Sequence, residues 1–300
     1  MRKISIFSSQ RTISAILENW FVQNVVLPER PVSLEWEIDN LRNQVVIYVE
    51  IEEINLDLIE KLKNNGNKIV LFQVGDEFKE KFNFSTYQNV DFILRNYYFF
   101  DIFSAPEFVR KILWVPNGYK TGIGPRSSAL LRSASERKFL ATFLGWIDNP
   151  KSFGRERQLF KEAADCCTSD ILLAPSKRFG EGLPVGLYSA IMEYSVFCPC
   201  PAGNNPETIR LYDALELGCI PVSLKHDYLF APKGLAGVPF PLLNNWAELP
   251  SFLARARHKI STDPDSINRL QESCINWWGD LKIRIKDSVF SQLETLGKEP

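Results

Sequence analysis

Short apolar runs recur along the chain, and most are followed by a polar or glycine-containing break and then by residues with helical spacing. In the first half the runs are Ile4–Phe7 (ISIF), Gln44–Val49 (QVVIYV), Lys68–Val74 (KIVLFQV), Val90–Leu94 (VDFIL) and Ile112–Val115 (ILWV). Runs of this length, bounded by turn residues, suit strands buried on both faces. Between them, Thr12–Phe21 sets Ile13, Ile16, Leu17 and Trp20 on one side of a predicted helix. A second helix is predicted over Leu56–Lys63, stopping at Asn64-Asn65-Gly66-Asn67. Strand and helix in alternation predict a parallel sheet whose functional groups gather at the carboxyl ends of its strands. That rule brings Asp76, Glu77, Arg95, Asn96, Asn117 and Lys120 to one edge. Taken singly, each reads as a turn cap or a solvated group; at successive strand ends they describe a ligand-binding edge.

The same alternation restarts at Lys138–Leu144 (KFLATFL), which ends at Gly145-Trp146, and continues through Ile171–Ala174, Val196–Cys198 and Cys219–Val222. Helices are predicted over Arg155–Cys166 and Leu187–Glu193, with a helix entry at Asn245–Leu249 and two closing helices at Ser266–Cys274 and Trp278–Leu293. Leu281–Lys286 alternates apolar and basic residues, a strand period, but no turn signal follows it and the helix is preferred. Between the halves, Lys120–Arg137 (KTGIGPRSSALLRSASER) is rich in Gly, Ser and Arg without a sustained period and reads as a linker.

Composition narrows the function classes. The 300 residues are 45% hydrophobic and 24% charged, enough for one large or two smaller packed domains. A net charge of -1 argues against general nucleic-acid binding. The start, MRKISIF, lacks the apolar core of a secretory signal, and no run reaches a membrane-spanning length, so a soluble cytoplasmic protein is expected. Trp277 and Trp278 beside basic residues allow peripheral contact with an anionic membrane, although packing against the body of the protein is the preferred reading. Cysteines at 166, 167, 198, 200, 219 and 274 have no zinc-ribbon spacing, and the only histidines are His226 and His258. Neither a metal nor a cofactor is expected.

One stretch, Ser195–Val222 (SVFCPCPAGNNPETIRLYDALELGCIPV), gathers these signals. Asn205 is a predicted N-cap, with Pro206 at the first helical position and Glu207 in the first turn. Gly218 sits where a left-handed C-terminal cap is expected. Leu211 and Leu215 face a core in this scheme, with Glu207, Arg210 and Asp213 on a more polar flank. A small-residue loop feeding a helix N-terminus, with an arginine one turn in, can hold an anion. An ordinary strand–loop–helix–strand unit accounts for the same local pattern.

The order of these residues resembles the exostosin family of glycosyltransferases, whose pattern is S-x-F-C-L-x-P-x-G followed by R-x-x-E-A-x-x-x-G-C-I-P-V. Ser195, Phe197, Cys198, Pro201, Gly203, Arg210, Ala214, Gly218, Cys219, Ile220, Pro221 and Val222 match it. Pro199 stands where the family has Leu, and Asp213 where it has Glu. Arg137–Gly145 and Asn245-Trp246 extend the resemblance.

The resemblance implies an α/β fold of the GT-B kind, two Rossmann-like domains whose parallel sheets face each other across a cleft. Residues 1–125 are then the acceptor-side domain, 126–275 the nucleotide-sugar domain, and 276–300 a terminal helix packing back towards the first. It implies an inverting, metal-independent transferase that moves a sugar from a UDP-sugar donor to a glycan or glycoconjugate hydroxyl, in surface polysaccharide synthesis. The other reading is a non-catalytic exostosin-like partner that assists a transferase. On the enzyme reading, Gly145, Arg155, Arg157, Asn204, Asn205, Glu207, Thr208, Arg210 and Asp213 surround the nucleotide-sugar. The helix start at Glu207-Thr208 and Arg210 stabilise the leaving diphosphate, and Asp213 accepts from ribose hydroxyls. The base that takes the acceptor proton is expected from the first domain: Asp76 first, then Glu77, with Asp101 and Glu50 behind them.

Overall fold

A computed structural model describes residues 2–8, 33–51, 53–178 and 180–298. The chain forms two compact units. The first comprises Met1–Asn117, Ala231–Gly234 and Leu281–Pro300, the second Gly118–Phe230 and Leu235–Asp280.

In the first unit the apolar runs become strands β1 (Ile4–Phe7), β2 (Ser33–Glu35), β3 (Val45–Glu50), β4 (Lys68–Gln73), β5 (Phe92–Arg95) and β6 (Ile112–Trp114). They form one parallel sheet in the order β2-β1-β3-β4-β5-β6. Every residue of β3 and β5 is buried, as expected of parallel strands covered on both faces. The helix Leu56–Asn64 begins where Asn55 accepts a hydrogen bond from the Leu58 amide, and it buries Ile59 and Leu62. The helix predicted over Thr12–Phe21 lies outside the described residues.

The second unit holds β7 (Phe139–Trp146), β8 (Ile171–Ser176), β9 (Ser195–Pro199), β10 (Ile220–Leu224) and β11 (Leu242–Leu243), parallel in the order β11-β10-β9-β7-β8. Each sheet therefore reverses direction beside its first strand, between β1 and β3 in one unit and between β7 and β9 in the other. In open parallel sheets such reversals part the loops at the strands' carboxyl ends and open a binding crevice there.

Three expectations are corrected. The segment Lys120–Arg137 is no linker, because it belongs to the second unit and is bonded throughout. The amides of Lys120 and Arg126 donate to Asp213 (2.7 Å) and Glu216 (2.6 Å), and those of Ala134 and Ser135 to Gln271 (2.7 Å) and Asn268 (2.9 Å). Arg137 is buried, with bonds to the Ser195 and Leu217 carbonyls. The segment's backbone amides are satisfied by side chains of the fold, which composition cannot distinguish from solvation.

The two closing helices are one, Pro264–Lys298, preceded by a helix Leu249–Thr262. No break occurs at Ile275–Trp277, because Trp278 and Leu281 continue the buried stripe of Ile267, Gln271 and Cys274. Trp278 donates its indole N–H to Glu216 (2.7 Å) and lies 5.6 Å from the Tyr212 ring, so it is a core residue rather than a membrane-facing one. Among the described residues no helix is long and apolar enough to cross a membrane.

Finally, the helix of the 195–222 stretch starts at Ile209 with Thr208 as its N-cap residue, three positions later than the sequence predicts. Asn205 instead accepts from the Glu207 amide (3.0 Å), a turn of its own that keeps Pro206 and Glu207 in the loop. Gly218 does adopt the left-handed conformation, with φ 68°.

Candidate active site

The carboxyl ends of β7 and β9, flanking the reversal of the second sheet, carry most of the residues singled out from the sequence. After β7 the chain runs through Asn149, Ser152 and Phe153 into the helix Glu156–Asp165, and after β9 through the loop Cys200–Thr208. The two segments are bonded to each other. Asn149 donates to Asn204 Oδ1 (3.0 Å), the Phe153 amide to the Gly203 carbonyl (2.8 Å), and Ser152 Oγ to the Ala202 carbonyl (3.0 Å).

Arg157 is buried, with Nε donating to the Ala202 carbonyl (3.1 Å) and Nη1 to the Trp146 carbonyl. Its guanidinium therefore spans the β7 and β9 exits and holds them together. Arg155 is exposed, has a left-handed backbone (φ 57°), and bonds to Gln158. Of the two arginines expected at the diphosphate, one is committed to backbone carbonyls and the other faces outward.

Arg210 differs from both. It is buried at the start of its helix, donates from Nη2 to the Leu144 carbonyl (2.8 Å), and sets its Cζ 4.1 Å from the centre of the Phe143 ring. Its Nε is buried without a hydrogen-bond partner. Among the described residues no carboxylate pairs with it in an ion bridge. A ring face attracts the cation but leaves donors on the guanidinium edge unused. Gly145, with φ 138°, is the residue beside which the guanidinium lies.

Asp213, one turn further, accepts from the Lys120 amide (2.7 Å) and from Tyr188 Oη (2.8 Å), one bond on each oxygen. Burial raises its pKa to about 6, against the lowering effect of those two bonds and of Arg210. Burial and the facing Asp213 push the Tyr188 phenol well above its ordinary range, so it stays a neutral donor. Asp213 is thus an anchor for the 118–126 segment rather than an open acceptor for ribose. Its neighbour Glu207 is buried and accepts from Tyr212 Oη (2.9 Å). Phe143 and Tyr188 were not singled out in the sequence. Phe143 lies two positions before Gly145 on the strand, and nothing local marks Tyr188.

In the first unit Asp76 closes a buried network. Arg95 donates from Nη2 to Asp76 Oδ2 (2.8 Å) and from Nη1 to Gln73 Oε1 (2.5 Å) and Tyr87 Oη (2.8 Å), while the Lys81 amide takes Asp76 Oδ1 (3.0 Å). Both oxygens of Asp76 are occupied. Glu77 is half-buried and accepts from Tyr97 Oη (3.0 Å). Asp101 is exposed and paired with Lys79, and Glu50 is buried, accepting from Tyr48 Oη (2.7 Å) and the Ile51 amide (2.9 Å).

With this geometry in hand, residues 120–247 match the Exostosin GT47 domain, a span that takes in the β7–β10 edge, Arg210 and Asp213. Ribitol-5-phosphate xylosyltransferase 1 of Danio rerio is 28% identical over 177 residues, covering 53% of this chain and 38% of the relative. The chain thus spans about two-fifths of the length of that curated relative. Among solved structures, an alpha,alpha-trehalose-phosphate synthase (UDP-forming) from Burkholderia vietnamiensis superposes with a TM-score of 0.53 at 11% identity, over 98% of this chain and 100% of that one. The pneumococcal O-GlcNAc transferase GtfA also gives 0.53, at 11% identity, over 87% of this chain and 58% of GtfA. At such identities the likeness is one of fold, and the fold is GT-B, two parallel α/β units.

Proposed function

We propose that the chain is an inverting glycosyltransferase that uses a UDP-sugar and passes the sugar to a glycan hydroxyl, with the donor's diphosphate at Arg210. The observation that carries this reading is a buried guanidinium at a sheet reversal with an unused donor and no carboxylate bridge among the described residues. Anions bind where such a cation meets a helix N-terminus, here Thr208-Ile209. In the reaction the acceptor oxygen forms a bond to the anomeric carbon as the bond to the diphosphate oxygen breaks, and the electron pair leaves with UDP. Arg210 and the helix amides stabilise the charge that develops on the leaving group, which is the task a divalent cation performs elsewhere. The proton leaves the acceptor hydroxyl to a carboxylate. Asp76 has both oxygens bonded within its own unit, which argues against that role for it.

The names of the neighbours support the donor class: GtfA is described with UDP and GlcNAc, and the trehalose-phosphate synthase as UDP-forming. Titration calorimetry with UDP tests the site. Binding by the wild type with at least a tenfold loss in Arg210→Ala is expected; equal affinity in the variant would overturn the assignment. The occupied state of Asp76 favours a second reading, a partner protein that retains the fold without turnover. UDP binding combined with no hydrolysis across a panel of UDP-sugars would select it.

A further inference from the structure

Ala202, in the loop between β9 and the Arg210 helix, has both polar groups of its backbone held by two consecutive residues. Its carbonyl accepts from Arg157 Nε (3.1 Å), and its amide donates to Glu156 Oε2 (3.0 Å). Consecutive side chains at a helix start ordinarily point about 100° apart. Here both reach Ala202, and the chain enters the helix through two left-handed residues, Gly154 and Arg155, each with φ 57°. For a non-glycine residue that conformation is uncommon and persists only where the surroundings enforce it.

Glu156 is itself buried and holds several partners. Oε2 also accepts from the Trp246 indole (3.2 Å), and Oε1 lies 3.0 Å from His226 Nε2. His226 follows β10, and Trp246 opens the turn before the Leu249–Thr262 helix. One carboxylate therefore ties the 200–208 loop to three other segments: the β7 exit, the β10 exit and the 246 turn. A buried carboxylate is unfavourable unless paired and fully hydrogen-bonded, and this one has a histidine and two N–H donors.

We propose that Glu156 is a positioning residue for the donor site, acting through the main chain of Ala202. The inference rests on the reading that the 200–208 loop and Arg210 receive the donor diphosphate. Preorganised donors are worth more than mobile ones because no ordering cost is left for the moment of binding. Glu156 touches no ligand in this scheme. It holds the loop so that the Thr208–Arg210 helix start stays fixed.

The test uses the full chain and two readouts. In Glu156→Ala, without nucleotide, hydrogen exchange of peptides covering 200–208 should accelerate at least tenfold, while exchange in Pro264–Lys298 stays unchanged. UDP affinity should fall at least tenfold. Glu156→Gln keeps an oxygen acceptor for the Ala202 amide and should recover most of both effects. His226→Gln, which removes the imidazole beside Glu156 Oε1, should loosen the same peptides and serves where Glu156→Ala does not fold. Unchanged exchange at 200–208, or acceleration spread evenly over the second unit, would overturn the proposal. Should wild-type protein not bind UDP, the donor reading fails, whereas the exchange data still decide the clamp.

Discussion

Gly145 leaves Arg210 the space that its guanidinium occupies: a Cβ at residue 145 would lie 2.4 Å from Arg210 Nη2. The backbone there has φ 138°, a conformation that glycine adopts freely. The glycine at the end of β7 therefore serves the arginine. Gly145→Ala combines a close contact with backbone strain and should destabilise the protein by about 1–3 kcal/mol. Because the displaced group is Arg210, UDP affinity should fall together with the urea midpoint. A variant with the lower midpoint but wild-type affinity would show that the arginine has room to move.

The Arg95–Asp76 pair makes the opposite kind of prediction. Removing one member of a buried ion pair leaves the other charge uncompensated, which typically costs about 3–5 kcal/mol. Arg95→Met should therefore destabilise strongly in chemical denaturation. Asp76→Asn, which retains an acceptor for the Lys81 amide, should cost less. If Asp76 were the proton acceptor instead, Asp76→Asn would abolish transfer while leaving the denaturation curve in place.

Asp213 gives a pH signature. Its folded pKa of about 6 lies above its ordinary value of 3.8, so the folded state binds the proton more tightly than the unfolded state. The resulting stabilisation is fully present below pH 3.8 and is lost as pH rises through 6. At pH 5 it amounts to about 1 kcal/mol, and above pH 7 to almost nothing. Between pH 7.5 and 5, wild type should gain stability relative to Asp213→Asn by about that amount, measured from paired urea curves. A constant difference across the range would mean that Asp213 titrates normally.

Tyr188→Phe removes the hydroxyl that donates to Asp213 Oδ2. Losing a donor to a buried carboxylate costs about 1–3 kcal/mol. The charged form suffers most, so the loss should be larger at pH 7.5 than at pH 5. Thermal unfolding at the two pH values would check the sign, and the reverse order would place the bond on the protonated acid.

Much of the scaffold is legible in the chain itself. Buried parallel strands are written as short apolar runs, so β1 and β3–β10 were placed to within a few residues, and the restart at Lys138 marked a second sheet. The Ser195–Val222 stretch carried the family resemblance because its small residues, arginine and Gly-Cys-Ile-Pro-Val are contiguous. Local pattern does not encode partners distant in sequence. Asp213 and Lys120 are 93 residues apart, Arg137 and Ser195 58, Glu156 and Trp246 90. Those pairings turned an apparent linker into part of a domain.

They also decided the roles of the charged residues. In sequence Asp76, Arg157, Arg210 and Asp213 are equivalent candidates at strand ends or helix starts. Folding buries all four, and burial requires that each polar group find a partner or bear a desolvation cost. Asp76, Arg157 and Asp213 are satisfied within the protein, whereas Arg210 retains a buried donor without one. The chain alone determined the residue types and the order of the strands. Only the tertiary structure decided which of these charges keeps a buried donor unpaired, because that depends on bonds made between residues far apart in the sequence.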